Sequence, residues 1–192
     1  MRIGIFGGTF NPLHTGHLLV LEYVQDQLQF ERVLLIPSAN PPHKNDPAIL
    51  PPKVRLEMIS LAVKDDPIYR ASDLEMRRPG SSYTVDTLRT VRELHPSAQL
   101  SLIIGVDNFL EFDTWKSPDE ILDYASLIVM NRPGFSQSDV RHRFARDAQF
   151  VNVPLIAISG TEIRMRVKMG KSIRYFVPPA VESYIVERHL YR

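Results

Sequence analysis

"GIFGGTFNPLHTGH" occupies residues 4–17. An apolar run opening at residue 2 ends in two adjacent glycines, and two histidines follow with a threonine and a glycine between them. "RIGIF" has the character of a buried strand. Leu18, Leu21, Val24 and Leu28 recur at helical spacing, so the stretch joins a strand to a helix through a glycine turn. In open α/β sheets the carboxyl end of a strand is where ligands bind. Glycine permits close backbone approach, so the segment Gly7, Gly8, Thr9 and Phe10 can turn N–H groups toward an anion. The following helix start has the same preference.

Two familiar phosphate signatures are absent: G-x-x-x-x-G-K-[ST] and G-x-G-x-x-G. His14 and His17 are then the nearby donors. At i,i+3 their rings can point to one side and offer N–H groups to phosphate oxygens, more strongly when protonated. A tight turn with two packing histidines explains the same residues, and a zinc site lacks a third ligand at a familiar spacing.

Outward from this unit, apolar runs at residues 2–6, 32–36, 100–104, 127–130 and 150–158 predict strands, with a more irregular one at 68–74. Helices are predicted at 18–28, 52–64, 85–94, 118–124, 161–169 and 180–188. Alternation of the two types implies an α/β fold, a single doubly wound parallel sheet with Rossmann-like order. A chain of 192 residues suits one domain spanning 1–192. Two stretches read as connections: 38–52, which contains five prolines, and the polar segment 131–138; a loop at 108–114 leads to Trp115.

A formal charge of +1 gives no electrostatic case for nucleic acid or an anionic membrane. With no cysteine there is neither a disulfide nor a thiolate metal site, which suits a cytoplasmic protein. The N-terminus lacks the features of a signal peptide, and no run reaches the roughly 18 apolar residues of a membrane span. Whether the chain forms a homo-oligomer is left open.

Near the other end, "ISGTEIR" places Ser159, Thr161 and Arg164 around a predicted helix start. Ser159 and Glu162 have capping-box spacing, which accounts for both. The same hydroxyls, with the helix N–H groups and Arg164 one turn on, can also grip a polyphosphate.

GGTFNPLHTGH and ISGTEIR together resemble the nucleotidyltransferase superfamily with the HxGH motif. The resemblance narrows to the bacterial nicotinate-nucleotide adenylyltransferases through IPSANPPHK, RLEM, SSYTVDTL, IIGVDNFLEFDTWK and GKSIRYFVPPAVESYI, which cover nearly the whole chain. Asn11 stands where the family usually has Asp, Gly160 where it has Ser, and Lys116 where it commonly has Tyr. Asn11 can keep a turn-forming, hydrogen-bonding role.

The resemblance implies transfer of AMP from ATP to nicotinate mononucleotide, giving deamido-NAD and pyrophosphate in NAD biosynthesis. His14, His17 and Arg164 are then catalytic. Gly7, Gly8, Thr9, Phe10, Gly105, Asp107, Ser159 and Thr161 join them around ATP, with Mg2+ accompanying the nucleotide. Lys44, Ser82, Tyr83, Thr84, Trp115 and Lys116 fall to the acceptor, Trp115 stacking on the pyridine. Backbone N–H groups near Thr84 and Lys116 would take the carboxylate. Each has an ordinary explanation as well: a solvated loop lysine, helix capping, a packing tryptophan, a turn aspartate. Other readings are a different acceptor (nicotinamide mononucleotide or pantetheine phosphate), a non-catalytic nucleotide sensor, and, more remotely, a nucleic-acid module.

Overall fold

The structure, a computed structural model, describes residues 1–40, 48–131 and 142–192. Six parallel strands form one sheet: β1 (Arg2–Gly8), β2 (Arg32–Pro37), β3 (Tyr69–Ala71), β4 (Gln99–Gly105), β5 (Ser126–Asn131) and β6 (Ala148–Asn152). Their order is β3-β2-β1-β4-β5-β6. The chain winds one way from β1 and then the other, so the strand order reverses between β1 and β4. This reversal opens a crevice at their carboxyl ends.

The inner strands are apolar over most of their length because both faces are covered. Ile3 and Ile5 of β1, Leu100, Leu102 and Ile104 of β4, and Leu127 and Val129 of β5 pack in one core. They meet Val85, Leu88 and Val91 of helix α3 (Thr84–Leu94). The intervening residues Phe6, Ile103 and Ile128 turn to the other face. There they meet Leu21, Val24 and Leu28 of helix α1 (Thr15–Leu28). Period-two alternation in each strand thus feeds two cores, which is the reason for doubly wound topology. Between them in chain order comes α2 (Pro52–Ala62).

After β4 the chain forms a short helix, α4 (Val106–Leu110), a single 3-10 turn at Phe112–Thr114, and α5 (Pro118–Tyr124). The C-terminal part adds α6 (Gly160–Lys168) and α7 (Pro179–Glu187). Met58 of α2, Ile163 of α6 and Val181 and Ile185 of α7 build a third apolar cluster with Ile173 and Val177.

Four expectations need correction. The strand expected at 150–158 lies at Ala148–Asn152. Partnered by β5 only over that length, the apolar residues beyond it, from Val153 to Ile158, run as irregular chain toward α6. The irregular strand at 68–74 pairs with β2 only through Tyr69, Arg70 and Ala71, and a 3-10 turn over Leu74–Arg77 follows. The stretch 108–114, read as loop, is α4 and its 3-10 turn; Phe109 and Phe112, both fully buried, fold it onto the sheet. Helix α1 also begins three residues before the predicted 18, because a histidine caps it.

Candidate active site

β1 carries Gly7 and Gly8 to its end, where they pair with Ile36 and Pro37. Gly7 is exposed, and a Cβ added there would meet nothing within 4 Å. Its lack of a side chain is therefore not required by the protein's own packing, and the carboxyl end of β1 is open to a close ligand. Phe10 is expected to act through its backbone N–H. Its ring is 2% exposed and packs against Phe6 and His17, so Phe10 can offer a ligand its backbone only.

The two histidines cap α1 reciprocally. His14 Nδ1 accepts the His17 backbone N–H at 3.3 Å, and His17 Nδ1 accepts that of His14 at 3.2 Å. The rings stack with centroids 3.6 Å apart. Gly16 makes this compact: a Cβ there would lie 3.1 Å from His14 Nδ1 and 3.3 Å from Ile156 Cγ2. With both Nδ1 atoms accepting, each neutral ring carries its proton on Nε2, leaving two Nε2–H donors.

Burial lowers the His14 pKa to about 4, its backbone hydrogen bond opposing. Desolvation, reinforced by His14, holds His17 well below its ordinary value. Both are neutral near pH 7 without ligand. Without a ligand the pair is therefore two neutral N–H donors, and the stronger, protonated form needs a bound anion to favour it.

The second motif arrives from across the chain. Arg164 Nη1 donates to the Asn11 carbonyl at 2.9 Å, and Nη2 donates to Thr161 Oγ1 at 3.2 Å. Ser159 Oγ accepts the Glu162 N–H at 3.1 Å, half of the capping box. Residues 7–17 and 159–164 therefore meet at one edge of the sheet. Gly105 ends β4 beside β1, and Asp107 sits in the first turn of α4.

A separate group forms beside them. Ser82 Oγ accepts the Ala39 and Asn40 N–H groups at 3.1 and 3.0 Å, and Ser82 N–H donates to the Asn40 carbonyl at 3.0 Å. Ser38 N–H donates to the Gly8 carbonyl at 2.9 Å, so these contacts tie Ser82 to the end of β1. Tyr83 precedes α3 without a capping side chain, and Thr84 begins the helix. Lys116 Nζ reaches Asp86 Oδ2 at 3.0 Å and lies 4.6 Å from the centre of the Tyr83 ring. Trp115 packs on Phe112, ring centres 5.4 Å apart. Ser82, Tyr83, Thr84, Trp115 and Lys116 are thus gathered around the start of α3. Lys44 lies outside the described residues.

Two residues have larger structural roles than the sequence reading gave them, Arg55 none and Asn11 only a turn-forming one. Arg55, 1% exposed, donates Nε–H to the Leu50 carbonyl at 2.8 Å, and Nη1 and Nη2 to the Thr9 and Ser38 carbonyls, both at 2.6 Å. It clamps the chain leaving β1 to the chain leaving β2. Burial lowers its pKa, while Tyr191 and Glu75 raise it. Asn11 is the other, with Oδ1 accepting the Leu50 N–H at 3.2 Å and the Tyr191 hydroxyl at 2.9 Å, and Nδ2 donating to the Ala48 carbonyl at 2.9 Å. An arginine inside an apolar helix was the available signal for Arg55. None existed for the partners of Asn11.

A family model described as cytidylyltransferase-like matches residues 5–166. A protein from Salinibacter ruber named "Probable nicotinate-nucleotide adenylyltransferase" is 43% identical over 192 residues, covering 100% of this chain and 98% of that relative. One of the same name from Thermus thermophilus is 45% identical, with 100% of both chains covered. The chain belongs to the nicotinate-nucleotide adenylyltransferase family. The fold of this adenylyltransferase also matches that of Plasmodium falciparum nicotinic acid mononucleotide adenylyltransferase complexed with NaAD. The TM-score is 0.78 at 21% identity, over 99% of this chain and 97% of that one. Among the described residues, the adenylyltransferase has no cluster of three His, Cys, Asp or Glu suited to a metal, and no helix long and apolar enough to cross a membrane.

Proposed function

We propose that this enzyme transfers AMP from ATP to nicotinate mononucleotide, yielding deamido-NAD and pyrophosphate in NAD biosynthesis. The observation that carries the reading is the meeting of two anion-seeking segments, residues 7–17 and 159–164, at the β1–β4 switch point. Relatives bearing the activity's name align along the full chain.

An acceptor phosphate oxygen attacks the α-phosphorus of ATP in line. A P–O bond forms to the acceptor, the bond from the α-phosphorus to the β-bridging oxygen breaks, and the electron pair leaves with pyrophosphate. The attacking phosphate is already anionic, so catalysis rests on alignment and on stabilising charge on the phosphoryl oxygens. His14 and His17 donate Nε2–H to the triphosphate, whose charge favours their protonation. Arg164, with Ser159 and Thr161, holds the departing pyrophosphate. Gly7, Gly8 and the backbone of Thr9 and Phe10 line the strand end, and Gly105 and Asp107 take the nucleoside side.

A divalent cation accompanies the nucleotide, and we assign it as Mg2+ brought with ATP. The donors offered by His14, His17 and Arg164 are cationic or N–H groups that suit phosphate oxygens, leaving the cation to phosphate and water. Thr84 and Lys116 backbone N–H groups receive the nicotinate carboxylate, Trp115 stacks on the ring, and Tyr83 borders it. Ser82 braces that pocket through the Ala39–Asn40 turn, and Lys44 is assigned to the acceptor phosphate. The protein acts as one domain over 1–192, in the cytoplasm, on small molecules alone.

Steady-state assays with MgATP and competing acceptors test this reading. Nicotinate mononucleotide should be preferred by kcat/KM. Preference for the amidated ribotide rejects the carboxylate pocket, preference for pantetheine phosphate rejects the acceptor, and ATP binding without pyrophosphate release rejects catalysis.

A further inference from the structure

Tyr191, one residue from the end of the chain, reaches a residue in the first turn after β1. Its hydroxyl donates to Asn11 Oδ1 at 2.9 Å across 180 positions of sequence. Its backbone sits at φ 62°, a left-handed conformation that a bulky side chain seldom adopts, and His189 two residues earlier is at φ 51°. Tyr191 packs, partly buried, against the third apolar cluster, so packing and a hydrogen bond together hold the strained end in place.

Asn11 passes this contact on. Its carboxamide is held at three points, by Tyr191, Leu50 and Ala48, and its main-chain carbonyl accepts from Arg164 Nη1 at 2.9 Å. Burial raises the Tyr191 pKa, with Arg164 and Arg55 opposing, so the phenol keeps its proton and can donate. Replacement of the tyrosine hydroxyl leaves one lone pair of a buried amide oxygen unsatisfied, beside the carbonyl that aims the guanidinium.

We propose that Tyr191 is a positioning residue for AMP transfer: its hydroxyl fixes the Asn11 carboxamide, and Asn11 in turn sets the carbonyl that orients Arg164 toward the triphosphate. This rests on the assignment of Arg164 to the pyrophosphate side. The closing segment of the chain is thus part of how the nucleotide site is held, beyond any share in packing α7.

Tyr191→Phe keeps the ring and deletes one donor. Below its melting midpoint, kcat should fall about five- to tenfold, as the loss of one buried hydrogen bond predicts. Affinity for a non-hydrolysable ATP analogue, measured by calorimetry, should fall by a similar factor, while KM for nicotinate mononucleotide stays within about twofold. A role confined to packing would lower the melting temperature and leave this split absent. In an Asn11→Ala background, Tyr191→Phe should add nothing, since the residue through which it acts is gone.

Unchanged kcat and analogue affinity in a folded Tyr191→Phe enzyme overturn the proposal. So does a full multiplicative effect in the Asn11→Ala background. Calorimetry needs no acceptor, so the two readings fail separately. Wild type that binds the analogue but adenylylates no acceptor rejects the activity, whereas an active enzyme indifferent to Tyr191→Phe rejects only the positioning role.

Discussion

A Cβ placed on Gly160 would lie 2.9 Å from the carbonyl oxygen of Asn11 and 3.4 Å from Arg164 Nη1. Asn11 and Gly160 are two of the positions where this chain departs from the pattern it resembles, and they touch. The bare N-terminus of α6 lets the Asn11 carbonyl reach Arg164, so the departures occupy one contact. Backbone opposes backbone here, and neither side can swing away as a flexible side chain would.

Gly160→Ala tests that contact. Alanine is the better helix former by up to about 1 kcal/mol, so an unobstructed site would be stabilised. Overpacking predicts the opposite, a loss of about 1–3 kcal/mol in chemical denaturation, with kcat reduced as Arg164 is displaced. A more stable, fully active variant would show that α6 has room to shift.

His14 and His17 make stability depend on acidity. Both folded-state pKa values lie below the ordinary 6.5, that of His14 at about 4. Below about pH 6.5 the unfolded chain takes up protons that the folded chain refuses, so stability is whole above that pH and declines as pH falls toward 4. The slope reaches about 1.4 kcal/mol per pH unit for each histidine. Melting temperature measured from pH 7.5 to 4.5 should show the decline, and His14→Gln should flatten it. An identical profile in that variant would assign acid sensitivity to other groups.

Removing His17 separates chemistry from folding. Its ring is half of the reciprocal cap on α1, so His17→Ala should cost about 1 kcal/mol of stability, the ordinary scale of a lost cap. Loss of a donor to the phosphoryl charge should reduce kcat by about 100-fold. A folded variant with wild-type turnover would take His17 out of the mechanism.

Arg55 should be intolerant of change. Arg55→Met leaves the Thr9, Ser38 and Leu50 carbonyls without their donor and should destabilise the protein by about 3–5 kcal/mol. Equilibrium denaturation is the measurement. Arg55→Lys should recover only part, because one ammonium cannot span three carbonyls arranged for a fork.

Trp115 is the only tryptophan, so its fluorescence reports on its surroundings alone. Saturation with nicotinate mononucleotide should change that emission, and Trp115→Ala should raise KM for the acceptor more than for ATP. Breaking the half-exposed Lys116–Asp86 pair by Lys116→Ala should change stability by less than about 1 kcal/mol. Emission indifferent to the ribotide would separate Trp115 from the acceptor.

What was legible in advance follows from how each feature is written in the chain. The five longest strands and both motifs, GGTFNPLHTGH and ISGTEIR, stand in short contiguous runs, where apolar alternation, glycines and capping residues lie close together in sequence. α4 was missed because its burial comes from Phe109 and Phe112 seated on a distant sheet, and the end of β6 because its partner β5 sets where pairing stops. The protonation of the histidines was unreadable too, since desolvation depends on what packs above them.

By itself, the amino-acid sequence determined the alternation of strands and helices, the glycine edge, the histidine spacing and the kinship. Tertiary structure alone decided that Arg164 meets Asn11, that Arg55 joins three carbonyls and that Tyr191 closes onto the β1 turn. The first set depends on local periodicity and backbone preference, which a few neighbouring residues specify. The second depends on groups up to 180 residues apart being brought within hydrogen-bond distance, and only the sheet order and the burial it enforces select those partners.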